Sequence, residues 1–301
     1  MNTLHALAEY AYIREAFIAA AVVGLVCSLM SVMIVLKRMA FIGQGIAHAG
    51  FGGMGTAALL GLTGSAAATG WAWPRELVIL AFCLATAGVI GLLSRRRRVE
   101  ADSAIGILLA ATMAWGILAM NLRFVLSDWE AYRNWVGPMA YTPSWETILF
   151  GSVLNIGQAG MWAAIVMGAI VLGVCALRFR QLVAFTFDET VSRTLGIRTT
   201  LLYFCVLIML TLIVVVSIRL LGLILVSALL IMPGAAALLL SRRLGRVLVL
   251  SAVVGVVGTL GGLIVSLEVG RLSTGACIVF VLFGLFLAAY VTSAVRGRAT
   301  A

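Results

Sequence analysis

The sequence predicts an all-α, polytopic transmembrane bundle of eight to nine spans, and two observations carry that prediction. Long apolar runs recur along the whole chain, and basic residues gather in short clusters in every second gap between them. Composition agrees: 63% of the 301 residues are hydrophobic, 11% are charged, and the mean hydropathy is +1.16. A soluble globular domain carries about 25% charged residues, so this chain lacks the means to cover a core with a water-facing surface.

The runs are 15–36, 42–62, 76–94, 102–122, 158–177, 199–217, 220–240, 247–267 and 273–294. Each is long enough to cross about 30 Å of hydrocarbon as a helix, the form that satisfies its own backbone polar groups without water. The run pair within 199–240 has Arg219 near its middle, and reads either as two spans or as one span followed by a broken or re-entrant helix. Alternate gaps hold Lys37 and Arg38, Arg95 to Arg98, Arg178, Arg180, Arg193 and Arg198, then Arg242, Arg243 and Arg246, and finally Arg296 and Arg298. The opposite gaps hold only Arg14, Arg75, Arg123, Arg133, Arg219 and Arg271. Short basic loops stay cytoplasmic, which places the N-terminus outside and the C-terminus inside. The whole of 1–301 is then one transmembrane domain, with an external loop 123–157 and a cytoplasmic helix at 187–196.

The formal net charge of +10 reports orientation and contact with anionic headgroups, since the arginines are scattered along loops and no basic fold presents them to nucleic acid. The first fifteen residues, with Glu9, Arg14 and Glu15, lack the positive start of a cleavable signal, so the first span is expected to be retained. Cys27, Cys83, Cys175, Cys205 and Cys277 lie singly in apolar runs, without the spacing of a zinc site or a disulfide framework.

Ionisable groups inside a membrane are costly and mark function. Here His48 is the only histidine in a span, and no Asp or Glu lies clearly at mid-depth, which argues against a proton pump built on buried carboxylates. Gln44 is one helical turn before His48, so the two side chains share a face. An imidazole beside an amide oxygen can coordinate a divalent cation in transit; equally, a lone membrane histidine can simply bond a neighbouring helix. Gly45, Gly52 and Gly53 around them either let helices approach closely or line a passage.

The segment Val183–Thr200 is too polar to cross. Phe187, Val191, Thr194 and Leu195 fall at helical spacing on one face, with Asp188, Glu189, Ser192 and Arg193 around the other. Thr186 with Glu189 three residues on resembles a capping box, and Gly196 can end the helix. A short helix in a tight cytoplasmic loop suits contact with a soluble partner, more than a place on the lipid surface, which calls for more basic residues. Pro233, with Gly234 beside it, removes a backbone hydrogen bond inside a span and predicts a kink, passive or lining a cavity. In 123–157, Trp129, Tyr132, Trp135, Tyr141 and Trp145 suit headgroup anchors or, with Pro138, Pro143, Asp128, Glu130 and Glu146, an external docking surface.

These stretches together resemble the integral-membrane permeases of metal ABC importers, the family serving zinc, manganese and iron uptake in bacteria. The family's second-span pattern LLGDALSHAVLPG is similar to FIGQGIAHAGFGG (41–53), with its Asp at Gln44 and its His at His48. Its DExxARxLGI is similar to DETVSRTLGI (188–197), with Ser192 in place of Ala. Its GxLLVSALLIIPAAxA is similar to GLILVSALLIMPGAAA (222–237), and its late GxxxS…PSGAxIV run to 261–279, with Ser273–Thr274 replacing the proline pair.

The resemblance implies a dimeric pore of two copies or two related permeases, alternating access for a divalent metal cation. It implies a pair of cytoplasmic ATPases gripping Asp188, Glu189, Ser192 and Gly196, and an extracytoplasmic metal-binding protein docking outside. The chain has no GxxxxGK[ST] phosphate loop, so ATP is expected on the partner. In the family the second-span Asp and His are associated with metal coordination or gating; Gln44 removes the carboxylate charge, leaving a weak transit site or a different substrate. A permease for iron-siderophore or cobalamin is the nearest alternative. An intramembrane enzyme would need a catalytic pair that His48 and serines such as Ser227 do not form.

Overall fold

The computed structural model describes residues 10–62, 73–95, 100–136, 151, 156–269 and 272–299, and all regular structure among them is helical. The helices are α1 (Ala11–Leu36), α2 (Ala40–Leu59), α3 (Trp73–Arg95), α4 (Ala101–Leu126), α5 (Glu130–Val136), α6 (Gly157–Leu177), α7 (Phe179–Phe187), α8 (Glu189–Thr194), α9 (Thr199–Leu221), α10 (Leu223–Leu229), α11 (Met232–Leu240), α12 (Leu244–Val269) and α13 (Thr274–Ala299). Eight stretches among the described residues are long and apolar enough to cross a membrane: α1, α3, α4, α6, α9, the α10–α11 pair, α12 and α13.

Of the nine runs read from the sequence, the one at 42–62 falls outside that set. It is α2, whose 20 residues at about 1.5 Å each still match the thickness of hydrocarbon. Its glycines, Gln44 and His48 lower its hydropathy. Most of its residues are buried against other helices, so it is sheltered by protein and has less need of an apolar surface. The stretch 199–240 combines both expected forms, because α9 is complete and the run after it is broken into α10 and α11. Gly222 joins α9 to α10 at φ +83, a conformation open to glycine at little cost.

The chain divides into two compact units of interleaved sequence. The first comprises Met1–Ala40, Leu149–Leu202 and Val216–Ala301. At its centre α1 packs on α12. A Cβ on Gly255 would lie 2.5 Å from the Ser28 side chain, and the Ser251 hydroxyl donates to the Ser28 carbonyl at 2.6 Å. Small residues with a hydroxyl between them are the usual means of close helix contact in lipid. Gly258 and Gly262 of α12 receive Leu282 and Ile278 of α13 in the same manner.

The second unit comprises Phe41–Ile148 and Tyr203–Val215. Here α2 lies against α3 and α4. Gly91 of α3 abuts Leu207, Phe204 and Tyr203 of α9, and the Arg95 guanidinium sits 5.3 Å from the Tyr203 ring centre. In the expected external segment 123–157, α4 continues to Leu126 and α5 follows. Trp129 is exposed and Tyr132 is engaged with α2, whereas Pro138, Tyr141, Pro143, Trp145 and Glu146 lie outside the described residues.

Candidate functional site

In the second unit, α2 carries Gln44 and His48, and both side chains are half-buried. The His48 Nδ1 is buried and has no hydrogen-bond partner among the described residues. A buried imidazole nitrogen ordinarily finds a partner, so this one is an exception to the usual pattern. Among the described residues, no group of three or more His, Cys, Asp or Glu side chains gathers where it could cage a metal ion. His48 therefore stands as one imidazole with the Gln44 amide a turn before it on the same helix.

The glycines around His48 serve close packing. A Cβ on Gly52 would come 2.7 Å from the Phe82 ring and 2.8 Å from the Thr112 carbonyl oxygen, and one on Gly55 would come 2.5 Å from the Gly116 carbonyl. Gly45 meets Ile105, and Gly53 meets the backbone of Ile79. The C-terminal turn of α2 is then tied down from α4 and α5. The buried Arg123 donates to the Ala58 carbonyl at 2.7 Å, Tyr132 to the Leu59 carbonyl at 2.6 Å, and Trp115 Nε1 to Thr56 Oγ1 at 2.9 Å. Arg123 and Tyr132 thus meet main-chain carbonyls of the last turn, that of Ala58 also accepting from the Gly61 amide at 3.0 Å, and the positive charge of Arg123 faces the negative pole of the helix.

In the first unit, α7 and α8 join two membrane-crossing helices. Asp188 caps α8, its Oδ1 accepting from the Thr190 and Val191 amides at 2.7 and 3.1 Å. The expected cap, Thr186, instead lies inside α7 and donates to the Leu182 carbonyl at 2.7 Å. Helical order begins earlier than expected because Phe179, Leu182, Phe185 and Thr186 already follow helical spacing, with Leu182, Phe185 and Thr186 buried. At the other end Gly196 adopts φ +75; its amide reaches the Arg193 carbonyl, and the Ile197 amide reaches the Ser192 carbonyl, both at 3.0 Å. That double bond pattern is a Schellman cap, with glycine at the left-handed position.

The apolar face of α8 turns away from the protein: Phe187, Val191 and Leu195 are 64%, 52% and 67% exposed. Ser192, expected on the partner-facing polar side, is fully buried, and its hydroxyl donates back to the Asp188 carbonyl at 2.7 Å. It occupies an inward position where a small side chain fits. Glu189 pairs with Arg193 at 2.8 Å and approaches Lys37, just past the end of α1, at 3.9 Å, while the Lys37 ammonium lies 3.7 Å from the Phe185 ring centre. Sequence alone assigned Lys37 only to orientation; a contact between residues so far apart in the chain leaves no local trace.

The break between α10 and α11 falls at Leu230–Ile231, ahead of Pro233. Pro233 occupies the first turn of α11, where a missing amide costs little. Ser31 of α1 closes the gap: its Oγ accepts from the Gly234 amide at 2.9 Å and donates to the Ile231 carbonyl at 3.2 Å. Gly234 permits this, since a Cβ there would lie 2.5 Å from Ser31 Oγ. Both Pro233 and Gly234 are buried.

The model of the ABC 3 transport family matches residues 9–293. The manganese transport system membrane protein MntC of Halalkalibacterium halodurans is 33% identical over 297 residues, covering 98% of this chain and 91% of that protein. The chelated iron transport system membrane protein YfeD of Yersinia pestis is 28% identical over 302 residues, covering 98% and 92%. Among solved structures, PsaBC from Streptococcus pneumoniae in complex with Fab matches with a TM-score of 0.76 at 25% identity, over 95% of this chain and 94% of that one. With eight crossing stretches and a family match along nearly its whole length, the chain belongs to the ABC 3 transport family as a multi-pass membrane permease.

Proposed function

We propose that this permease is the membrane subunit of an ATP-driven bacterial importer of divalent metal cations, manganese or iron first among them. The observation that carries the proposal is the likeness, over almost the full chain, to manganese and iron transport membrane proteins. The geometry supports it in three ways. The exposed apolar face of α8, capped at Asp188 and Gly196, is a docking knob for a cytoplasmic ABC ATPase dimer, which supplies the ATP chemistry. Glu189 is held beside it by Arg193 and Lys37. The unpartnered nitrogen of His48, with Gln44 one turn away, offers a passing cation weak contacts.

In this scheme the N-terminus is outside and the C-terminus inside, as the basic clusters dictate. A second permease copy, or a related permease, completes the pore. An extracytoplasmic metal-binding protein delivers cargo to the segment 123–157. The broken α10–α11 run, with Pro233 and Gly234, borders the path when access alternates, and the Ser31 bridge holds it in the state described.

The test is uptake of radioactive manganese, iron and zinc in a bacterial strain deprived of its own importers and supplied with this permease and its ATPase. Uptake of at least one metal that is lost in His48→Ala is the expected result. Uptake unchanged in His48→Ala would remove the second-span face from the path, and no uptake of any of the three metals would remove the metal-importer proposal itself.

A further inference from the structure

Three basic clusters of the first unit terminate apolar helices around one cavity. Leu36 closes α1 just before Lys37 and Arg38, Leu177 closes α6 just before Arg178, and Leu244 opens α12 just after Arg242 and Arg243. Between these ends and α7 lies a cavity of about 150 Å³, walled by carbon from Val32, Leu36, Leu182 and Leu248. Leu182 is buried, whereas Phe179 and Phe187, which also line the cavity, are exposed, so it opens past those two rings.

An apolar cavity of this size stays dry and accepts a hydrocarbon guest of about six carbons. At the edge of a bilayer the hydrocarbon always at hand is a lipid acyl chain. The charges around the opening select which lipid. Arg178 and Arg180 flank Phe179 at the start of α7, and Arg243 immediately precedes Leu244; all three arginines are exposed. Arg178 is steadied by a 2.9 Å hydrogen bond to Gln181 and retains its other donors, and neither Arg180 nor Arg243 is paired with a carboxylate among the described residues. An arginine close to an anionic headgroup raises affinity about fivefold.

We infer that this cavity holds part of one acyl chain of an anionic phospholipid of the inner leaflet, with its phosphate among Arg178, Arg180 and Arg243. The inference rests on the cytoplasmic placement of α7 given under Proposed function. Because α7 leads directly into α8, a lipid seated here props the helix pair from beneath.

The experiment uses the full-length permease purified in detergent, loaded with either palmitoyl-oleoyl phosphatidylglycerol or palmitoyl-oleoyl phosphatidylcholine, with retained lipid counted by native mass spectrometry. One phosphatidylglycerol per chain is expected to be retained, with about tenfold preference over phosphatidylcholine. Ala176→Phe, which fills the cavity from α6, is expected to abolish retention of that lipid. The double variant Arg178→Gln, Arg243→Gln is expected to keep the lipid but lose the headgroup preference. Equal retention of the two lipids by the unaltered chain would overturn the inference, as would undiminished phosphatidylglycerol in Ala176→Phe. Should Ala176→Phe fail to fold, loss or persistence of the headgroup preference in the double variant decides. Displacement of the lipid by the ATPase would assign the cavity to that protein instead and so overturn it too. No metal is used and lipid is counted before any ATPase is added, so failure of the importer proposal in uptake assays is read separately from failure here.

Discussion

Helices α2 and α8 carry two of the three groups of candidate functional residues, and they are held in opposite ways. Helix α8 is specified by its own sequence: Asp188 starts it, Gly196 stops it, and the Glu189–Arg193 pair spans its single turn and a half. Helix α2 has no comparable local devices. It has neither an acidic residue in its first turn nor a basic one in its last, and six glycines weaken its intrinsic helicity. What holds α2 is other helices, through backbone contacts at Gly52 and Gly55 and side-chain donors from α4 and α5. The contrast has a consequence for function: damage to α2 should propagate into the fold, whereas damage to α8 should stay local and show only when a partner binds.

The sharpest way to break this contrast is Gly55→Val. The new side chain would have to enter the space of the Gly116 backbone, which cannot rotate away. Overpacking of that kind costs about 1–3 kcal/mol and more where backbone must move. The expected outcome is a lower melting temperature in detergent together with loss of uptake. A Gly55→Val permease that melts like the unaltered chain would show that α2 is not packed as described. Arg123→Met comes next. It leaves the Ala58 carbonyl without its charged donor in a buried place, at about 1.5–3 kcal/mol. Melting temperature should fall again, with Arg123→Lys recovering part of the loss because an ammonium can still donate. Equal melting of the Met and Lys variants would argue that the guanidinium fills space and no more.

Asp188→Ala tests the other side of the comparison. Loss of an N-cap side chain costs about 1 kcal/mol, and here that cost falls on a helix of six residues outside the crossing segments. Co-purification of the ATPase should drop while the melting temperature of the isolated permease stays put. A fall in melting temperature matching that of Arg123→Met would mean that α8 is part of the cooperative core, and the contrast between the helices would vanish.

The same distinction explains what could be read from the chain before its structure. Spans were legible because hydrocarbon imposes length and apolarity on every crossing helix. The end of α8 was legible because a left-handed glycine acts within four residues. Its start was misplaced by two residues: Thr186 and Asp188 are both good caps, and the choice between them is made by Leu182 and Phe185, which pull Thr186 into α7 as they become buried. The break after α10 is expected at Pro233, yet it lies earlier, because Ser31, far away in the chain, accepts from the Gly234 amide that a continuous helix would have given to the Leu230 carbonyl. Arg123 and Lys37 looked like charges that only report sidedness. Their roles as a clasp on α2 and a brace beneath α8 depend on partners that no local pattern names.

Ser192→Ala has the smallest expected effect and separates two accounts of one position. If Ser192 faced the ATPase, loss of its hydroxyl would weaken docking much as Asp188→Ala does. The side chain is buried, however, and its hydroxyl bonds back to the Asp188 carbonyl, already used by the Ser192 amide at 3.1 Å. A back-bond of this kind adds little and slightly disfavours a helix interior, and alanine is the better helix former by up to about 0.7 kcal/mol. Alanine also fits the space, since it removes one atom and adds none. The variant should therefore keep ATPase co-purification and melt at the same temperature or slightly higher. Reduced co-purification with unchanged melting would move Ser192 to the docking surface, and would mean that α8 turns over when its partner arrives.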